Sequence, residues 1–238
     1  MLTNPYLCVF FFIIAISELV MLIRHDFFKN ALIERGFFRQ KPEERSDYQC
    51  LLGWENTLRK MNYKADVCFI GNSITYDSDF QKDYSNKKIV NLGYSGDRIE
   101  GMIIRHKQIA HIHPDKIFIM AGTNDICKRY MTMDLFYDMY NELLDSIIYC
   151  NPTAEIYLES ILPVNHKLNP EWCPAETIRK ANKIIEQIAR SRSLVYVDLF
   201  SLYANKIDEL PEEMTYDGVH LNKPSYKIWS DAIRKFIM

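Results

Sequence analysis

The sequence predicts an α/β fold: a doubly wound, five-stranded parallel sheet with helices on both faces. Three observations carry this. Five short, nearly continuous apolar runs recur between residues 66 and 199, as strands covered on both faces require. Longer stretches with apolar residues at helical spacing separate most of them. Small and polar residues gather directly after the runs, where the carboxyl edge of such a sheet carries its chemistry.

The first element is an anomaly. "PYLCVFFFIIAISELVMLI", Pro5 to Ile23, has Glu18 as its single charge. Its length approaches the ~20 apolar residues that a membrane span needs. The expectation is an N-terminal apolar helix over residues 1–24 that anchors the protein to a membrane. Two alternatives stand beside it. Ala15 and Ser17 would suit signal-peptide cleavage, but no Lys or Arg precedes the run. An apolar helix packed on the domain is the other. Arg24, Lys29, Arg35, Arg39 and Lys41 all follow the run, a bias toward a cytoplasmic domain that leaves the side of the membrane open.

Residues 25–63 read as a helical lead-in broken at Pro42, with Tyr48, Leu51, Leu52 and Leu58 near helical spacing. Residues 64–238 form the main domain. Its strands are "DVCFI" (66–70), "KIVNL" (88–92), "KIFIMA" (116–121), "EIYLES" (155–160) and "LVYVDL" (194–199). The helix over 98–113 carries Ile99, Met102, Ile103, Ile109 and Ala110 on one stripe. That over 131–149 carries Leu135, Met139, Tyr140, Leu143 and Ile147. That over 176–191 carries Ile178, Ala181, Ile185 and Ile188. The last, over 224–237, carries Trp229, Ala232, Ile233 and Phe236, with Pro224 near its start.

Composition removes several functions. A net charge of −2 supplies no basic field for nucleic acid. The six cysteines (Cys8, Cys50, Cys68, Cys127, Cys150, Cys173) show no zinc spacing. Cys8 and Cys68 lie in apolar runs, and whether any of the others pair is open. The P-loop pattern G-x-x-x-x-G-K-[ST] is missing, which weakens a nucleotide-binding, flavodoxin-like reading. His111 and His113 in "HIHP" end a helix, where the dipole favours them, rather than forming a metal pair.

The segments after the strands hold the chemistry. Gly71-Asn72-Ser73 follows the first, "NLGYSGD" (91–97) includes the end of the second, and "AGTNDI" (121–126) follows the third. "YDGVHLN" (216–222) precedes the last helix. These types match the needs of acyl transfer. Ser73 is a nucleophile that needs a base, and His220 can be that base. Asp217, three residues earlier, can fix the imidazole tautomer. The Ser73 amide, the Gly93 amide and the Asn124 side chain can receive an oxyanion. Ser95 in "GYSGD" is not the nucleophile of a G-x-S-x-G elbow, because position 97 is Asp. Asp125 supports the Asn124 loop.

These blocks resemble the SGNH hydrolases, or GDSL esterases and lipases, from about Asp66 to Trp229. Gly71-Asn72-Ser73 is similar to the nucleophile block, with Asn72 where the family usually has Asp. Gly93 stands in the second block. Gly122-Thr123-Asn124-Asp125 resembles G-x-N-D, and Asp217-Gly218-Val219-His220 resembles D-x-x-H. Within the family, "NLGYSGDRIEGMIIR" looks most like the platelet-activating-factor acetylhydrolase catalytic-subunit group. The resemblance implies an SGNH-type domain over 64–238 and a serine esterase acting on short-chain O-esters, acetyl above all. It implies no cofactor and no metal.

The substrate partner is a small-molecule, carbohydrate or lipid ester, and the loop Leu162 to Pro174 shapes the pocket, with Trp172 a candidate platform. An O-acyltransferase on the same residues and a non-catalytic envelope protein that kept the fold are the alternatives.

Overall fold

The computed structural model describes residues 48–238 except Asn62 and Arg129. The chain runs α1 (Tyr48–Met61), β1 (Val67–Gly71), α2 (Ser73–Tyr76), α3 (Phe80–Asp83), β2 (Ile89–Gly93), α4 (Ile99–Arg105), α5 (Lys107–Ala110) and β3 (Lys116–Met120). It continues through α6 (Met133–Cys150), β4 (Glu155–Glu159), α7 (Ala175–Ser191), β5 (Val195–Val197), α8 (Phe200–Tyr203), a 3-10 turn (Glu212–Met214) and α9 (Lys223–Ile237). The five strands form one parallel sheet in the order β2-β1-β3-β4-β5.

Alternation along the strands splits the core in two. Val67, Phe69, Phe118, Tyr157 and Val197 share one buried cluster with Phe80 of α3 and with Trp229, Ile233 and Ile237 of α9. Its aromatic spine is continuous. Phe69 lies 4.3 Å from Phe80 and 5.0 Å from Phe118, and Phe80 meets Trp229 edge-on at 5.1 Å. Truncating a buried aromatic of this kind costs about 3–5 kcal/mol. The alternate residues Cys68, Ile70, Ile117, Ile119, Ile156 and Leu158 are also buried. They serve the opposite face, to which right-handed crossovers carry α4, α6 and α7. The predicted α/β sheet is thus present.

Two expectations change. The helix expected over 98–113 is broken at His106 into α4 and α5. The expected membrane localisation is corrected, because among the described residues no helix is long and apolar enough to cross a membrane. The long helices have charged outer faces. α6, at 18 residues, carries Asp134, Asp138, Glu142 and Asp145. The apolar run Pro5 to Ile23, and with it the expected N-terminal helix, lies outside the described residues.

Register positions the site. Gly71 of β1 sits opposite Gly93 of β2 and Met120 of β3. The segments leaving these three strands therefore emerge side by side. β1 is also where the strand order reverses, the place at which open α/β sheets bind ligands.

Candidate active site

Ser73 is the first residue of α2, a single turn that starts two residues beyond β1. Asn72 caps it, its Oδ1 accepting from the Ile74 N–H at 2.9 Å. This needs only the acceptor that Asn shares with Asp. The turn is held from three sides. Tyr226 of α9 donates its hydroxyl to the Ile74 carbonyl at 2.7 Å. Asn91 donates Nδ2 to the Thr75 carbonyl at 2.7 Å. Gly93 lets β2 press against the same backbone, since a Cβ there would come within 2.3 Å of the Tyr76 nitrogen.

His220 arrives from the loop before α9. Asp217 Oδ1 accepts from the N–H groups of Val219 and His220 at 2.9 and 2.8 Å, folding the loop into a tight turn. Thr215 Oγ1 donates to the His220 carbonyl at 2.6 Å and accepts from the Gly218 N–H at 2.9 Å. Two further contacts then form one line. His220 Nδ1 lies 2.6 Å from Asp217 Oδ2, and His220 Nε2 lies 2.8 Å from Ser73 Oγ. An ionised carboxylate only accepts, so Nδ1 carries the proton and Nε2 is the acceptor for the serine hydroxyl. Burial raises the Asp217 pKa. Hydrogen bonds from the His220 backbone and ring and from the Val219 N–H outweigh it, holding the carboxyl below its ordinary value.

Asn124 is partly buried in the loop after β3. One of its Nδ2 hydrogens goes to the Asp97 carbonyl at 2.9 Å, which fixes the amide and leaves the second available. Asp125 accepts from the Ile99 N–H at the start of α4, with its carboxyl pushed up to about 7 chiefly by burial. It holds the loop, as expected. Gly93 behaves differently from the expectation. Its N–H donates to Asn91 Oδ1 at 2.8 Å, so it is committed within its own segment. Three residues on, Gly96 is exposed at φ +73°, and no acceptor among the described residues takes its N–H. The signal for Gly96 was present in the sequence as the second glycine of "NLGYSGD". The folded surroundings of each glycine distinguish the two.

The loop Leu162 to Pro174 meets the His220 loop, with the Asn165 N–H donating to the Gly218 carbonyl at 2.8 Å. Trp172 is partly buried, and its Nε1 has no partner among the described residues. Cys173 at the loop's end is hydrogen-bonded to Cys127, both as free thiols.

Residues 69–228, more than half of the chain, match the model of the GDSL-like Lipase/Acylhydrolase family. Three solved structures share the fold. The first is a Streptococcus pneumonia protein provisionally assigned as a platelet activating factor, 23% identical with a TM-score of 0.70, covering 91% of this chain and 99% of its own. The second is a GDSL-like lipase from Bacteroides thetaiotaomicron, 21% identical with a TM-score of 0.64, covering 80% and 97%. The third is an acetyl xylan esterase from Geobacillus stearothermophilus, 21% identical with a TM-score of 0.57, covering 74% and 95%. No curated protein matches the sequence. With its five-stranded parallel sheet and the matched span, the chain belongs to the GDSL-like lipase/acylhydrolase family.

Proposed function

We propose that the protein is a serine esterase that hydrolyses short-chain O-esters, acetyl esters first among them, through an acyl-enzyme. The observation that carries this reading is the aligned pair of contacts, Ser73 Oγ to His220 Nε2 and His220 Nδ1 to Asp217 Oδ2.

Ser73 Oγ attacks the ester carbonyl carbon and passes its proton to His220 Nε2. Asp217 stabilises the imidazolium that forms. The carbonyl oxygen, now an anion, is received by the Ser73 N–H, a donor in the first turn of α2 with no partner among the described residues, and by the second Nδ2 hydrogen of Asn124. The Gly96 N–H is the third donor in this reading, in place of Gly93. The C–O bond to the alcohol breaks, and Nε2 returns the proton to the leaving oxygen. Water then attacks the acyl-enzyme, giving its proton to Nε2. Collapse releases the carboxylic acid and restores the serine hydroxyl.

A fluorophosphonate probe tests the reading. It should label the parent at Ser73, and Ser73→Ala should lose both label and turnover of p-nitrophenyl acetate, by on the order of 10⁴-fold or more. Turnover within about tenfold of the parent, ~1.4 kcal/mol in barrier, would remove Ser73 from the mechanism. A panel of acetylated sugars against p-nitrophenyl esters of rising chain length would then define the acyl and alcohol parts.

A further inference from the structure

Tyr216 is 63% exposed, an unusual position for a large aromatic that contacts the site. Its ring lies nearly parallel to the His220 imidazole, with centroids 5.7 Å apart and planes 9° apart. That separation falls in the range of offset stacking. Its hydroxyl lies near the Asp77 carboxylate, whose charge faces the phenol. Asp77 is the C-cap of α2, and its N–H donates to the Ser73 carbonyl at 3.0 Å. The phenol thus stands between the imidazole and the residue that caps the Ser73 turn. The loop does not need this side chain to fold, because Thr215, Asp217 and the Thr215–Leu221 bridge already hold its backbone.

We infer that Tyr216 is a positioning residue for His220: its ring braces one face of the imidazole, with its hydroxyl directed toward Asp77 at the end of the Ser73 turn. The inference rests on the esterase reading for its catalytic consequence, but not for the geometry. Two effects follow. The ring restricts rotation of the imidazole away from Ser73. Its negative face also favours the imidazolium that forms during reaction. The other groups facing His220 are Asp217 at Nδ1 and Ser73 at Nε2, with the Asp77 carboxylate behind the phenol.

The experiment compares Tyr216→Phe and Tyr216→Leu with the parent, using NMR titration of the His220 ring and pH profiles of p-nitrophenyl acetate hydrolysis. Tyr216→Leu should lower the His220 midpoint by roughly 0.5 in pH, the size of an exposed cation–aromatic contact. The acid limb of kcat/KM should move with it, and plateau kcat should fall roughly 3- to 10-fold with KM unchanged. Tyr216→Phe keeps the ring, so the midpoint should stay and kcat should fall by no more than about twofold. An unmoved His220 midpoint in Tyr216→Leu overturns the inference. A raised KM with kcat and the acid limb unchanged also overturns it, and makes the ring a substrate surface. A parent without ester hydrolysis defeats the proposed function, and the NMR titration still decides whether Tyr216 acts on His220.

Discussion

Arg105 and Asp97 form an ion pair 2.7 Å apart with both side chains fully buried. The same guanidinium donates through Nη2 to the Gly71 carbonyl at 3.1 Å, two residues before Ser73. The Asp97 carbonyl receives Asn124. One buried cation thus braces the strand end beneath Ser73 and the residue that anchors the Asn124 amide. Removing one partner of a buried pair strands the other charge, which is worse than never burying either. Arg105→Met should therefore cost about 3–5 kcal/mol of folding stability, measured by urea unfolding. A loss below ~1 kcal/mol would mean that Asp97 does not depend on this cation.

Asn124→Ala should reduce kcat roughly 10²–10³-fold and leave KM nearly unchanged, since an oxyanion exists only near the transition state. Steady-state kinetics at the parent's optimal pH would check it. A change confined to KM would make Asn124 a ground-state contact.

The two glycines of the second block should separate stability from catalysis. Gly93→Ala drives a Cβ into the backbone of α2, and overpacking of this kind costs about 1–3 kcal/mol or more. Gly96→Ala meets open space, so its cost is the strain of a left-handed residue, about 1–2 kcal/mol, and a displaced N–H. Melting and kinetics on both should show the larger loss of Tm in Gly93→Ala. Gly96→Ala should retain most of its Tm and lose kcat. Full activity in Gly96→Ala would return the third donor to another group.

Glu159 gives stability a pH dependence. It is buried at the end of β4, where Trp229 Nε1 donates to its Oε1 at 2.6 Å. Burial pushes its carboxyl from an ordinary 4.5 up to about 8, against the lowering effect of the Trp229 bond. The folded protein keeps this proton after the unfolded chain has lost it. Its contribution is therefore complete below about pH 4.5 and declines as pH rises toward about 8. Each pH unit across that window is worth at most ~1.4 kcal/mol. Glu159→Gln keeps an acceptor for Trp229 and cannot ionise. Its Tm should gain on the parent's as pH rises from 5 to 8, and parallel curves for the two proteins would refute the assignment.

The sheet was legible because each strand is a short apolar run that ends in small or polar residues. The expected spans 66–70, 88–92 and 116–121 meet the observed strands within a residue at each end. Ser73, Asp217 and His220 stood out because each residue type sits where a strand or loop hands the chain to a helix. Other features left no trace in periodicity. α2 and α3 are single turns, too short to repeat. The role of Arg105 depends on Gly71, 34 positions away, which no local pattern shows. Gly93 and Gly96 look equivalent as letters. In the fold they differ in packing, in backbone conformation and in which N–H is already used.

Ser73 and His220 lie 147 positions apart in the chain, yet Ser73 Oγ and His220 Nε2 lie 2.8 Å apart in space. Ribosomes add about 5–20 residues per second, so on the order of ten seconds separates the making of Ser73 from that of His220. Throughout that interval the nascent polypeptide carries Ser73 without His220. On the esterase reading, the site is therefore completed only in the last stretch of synthesis.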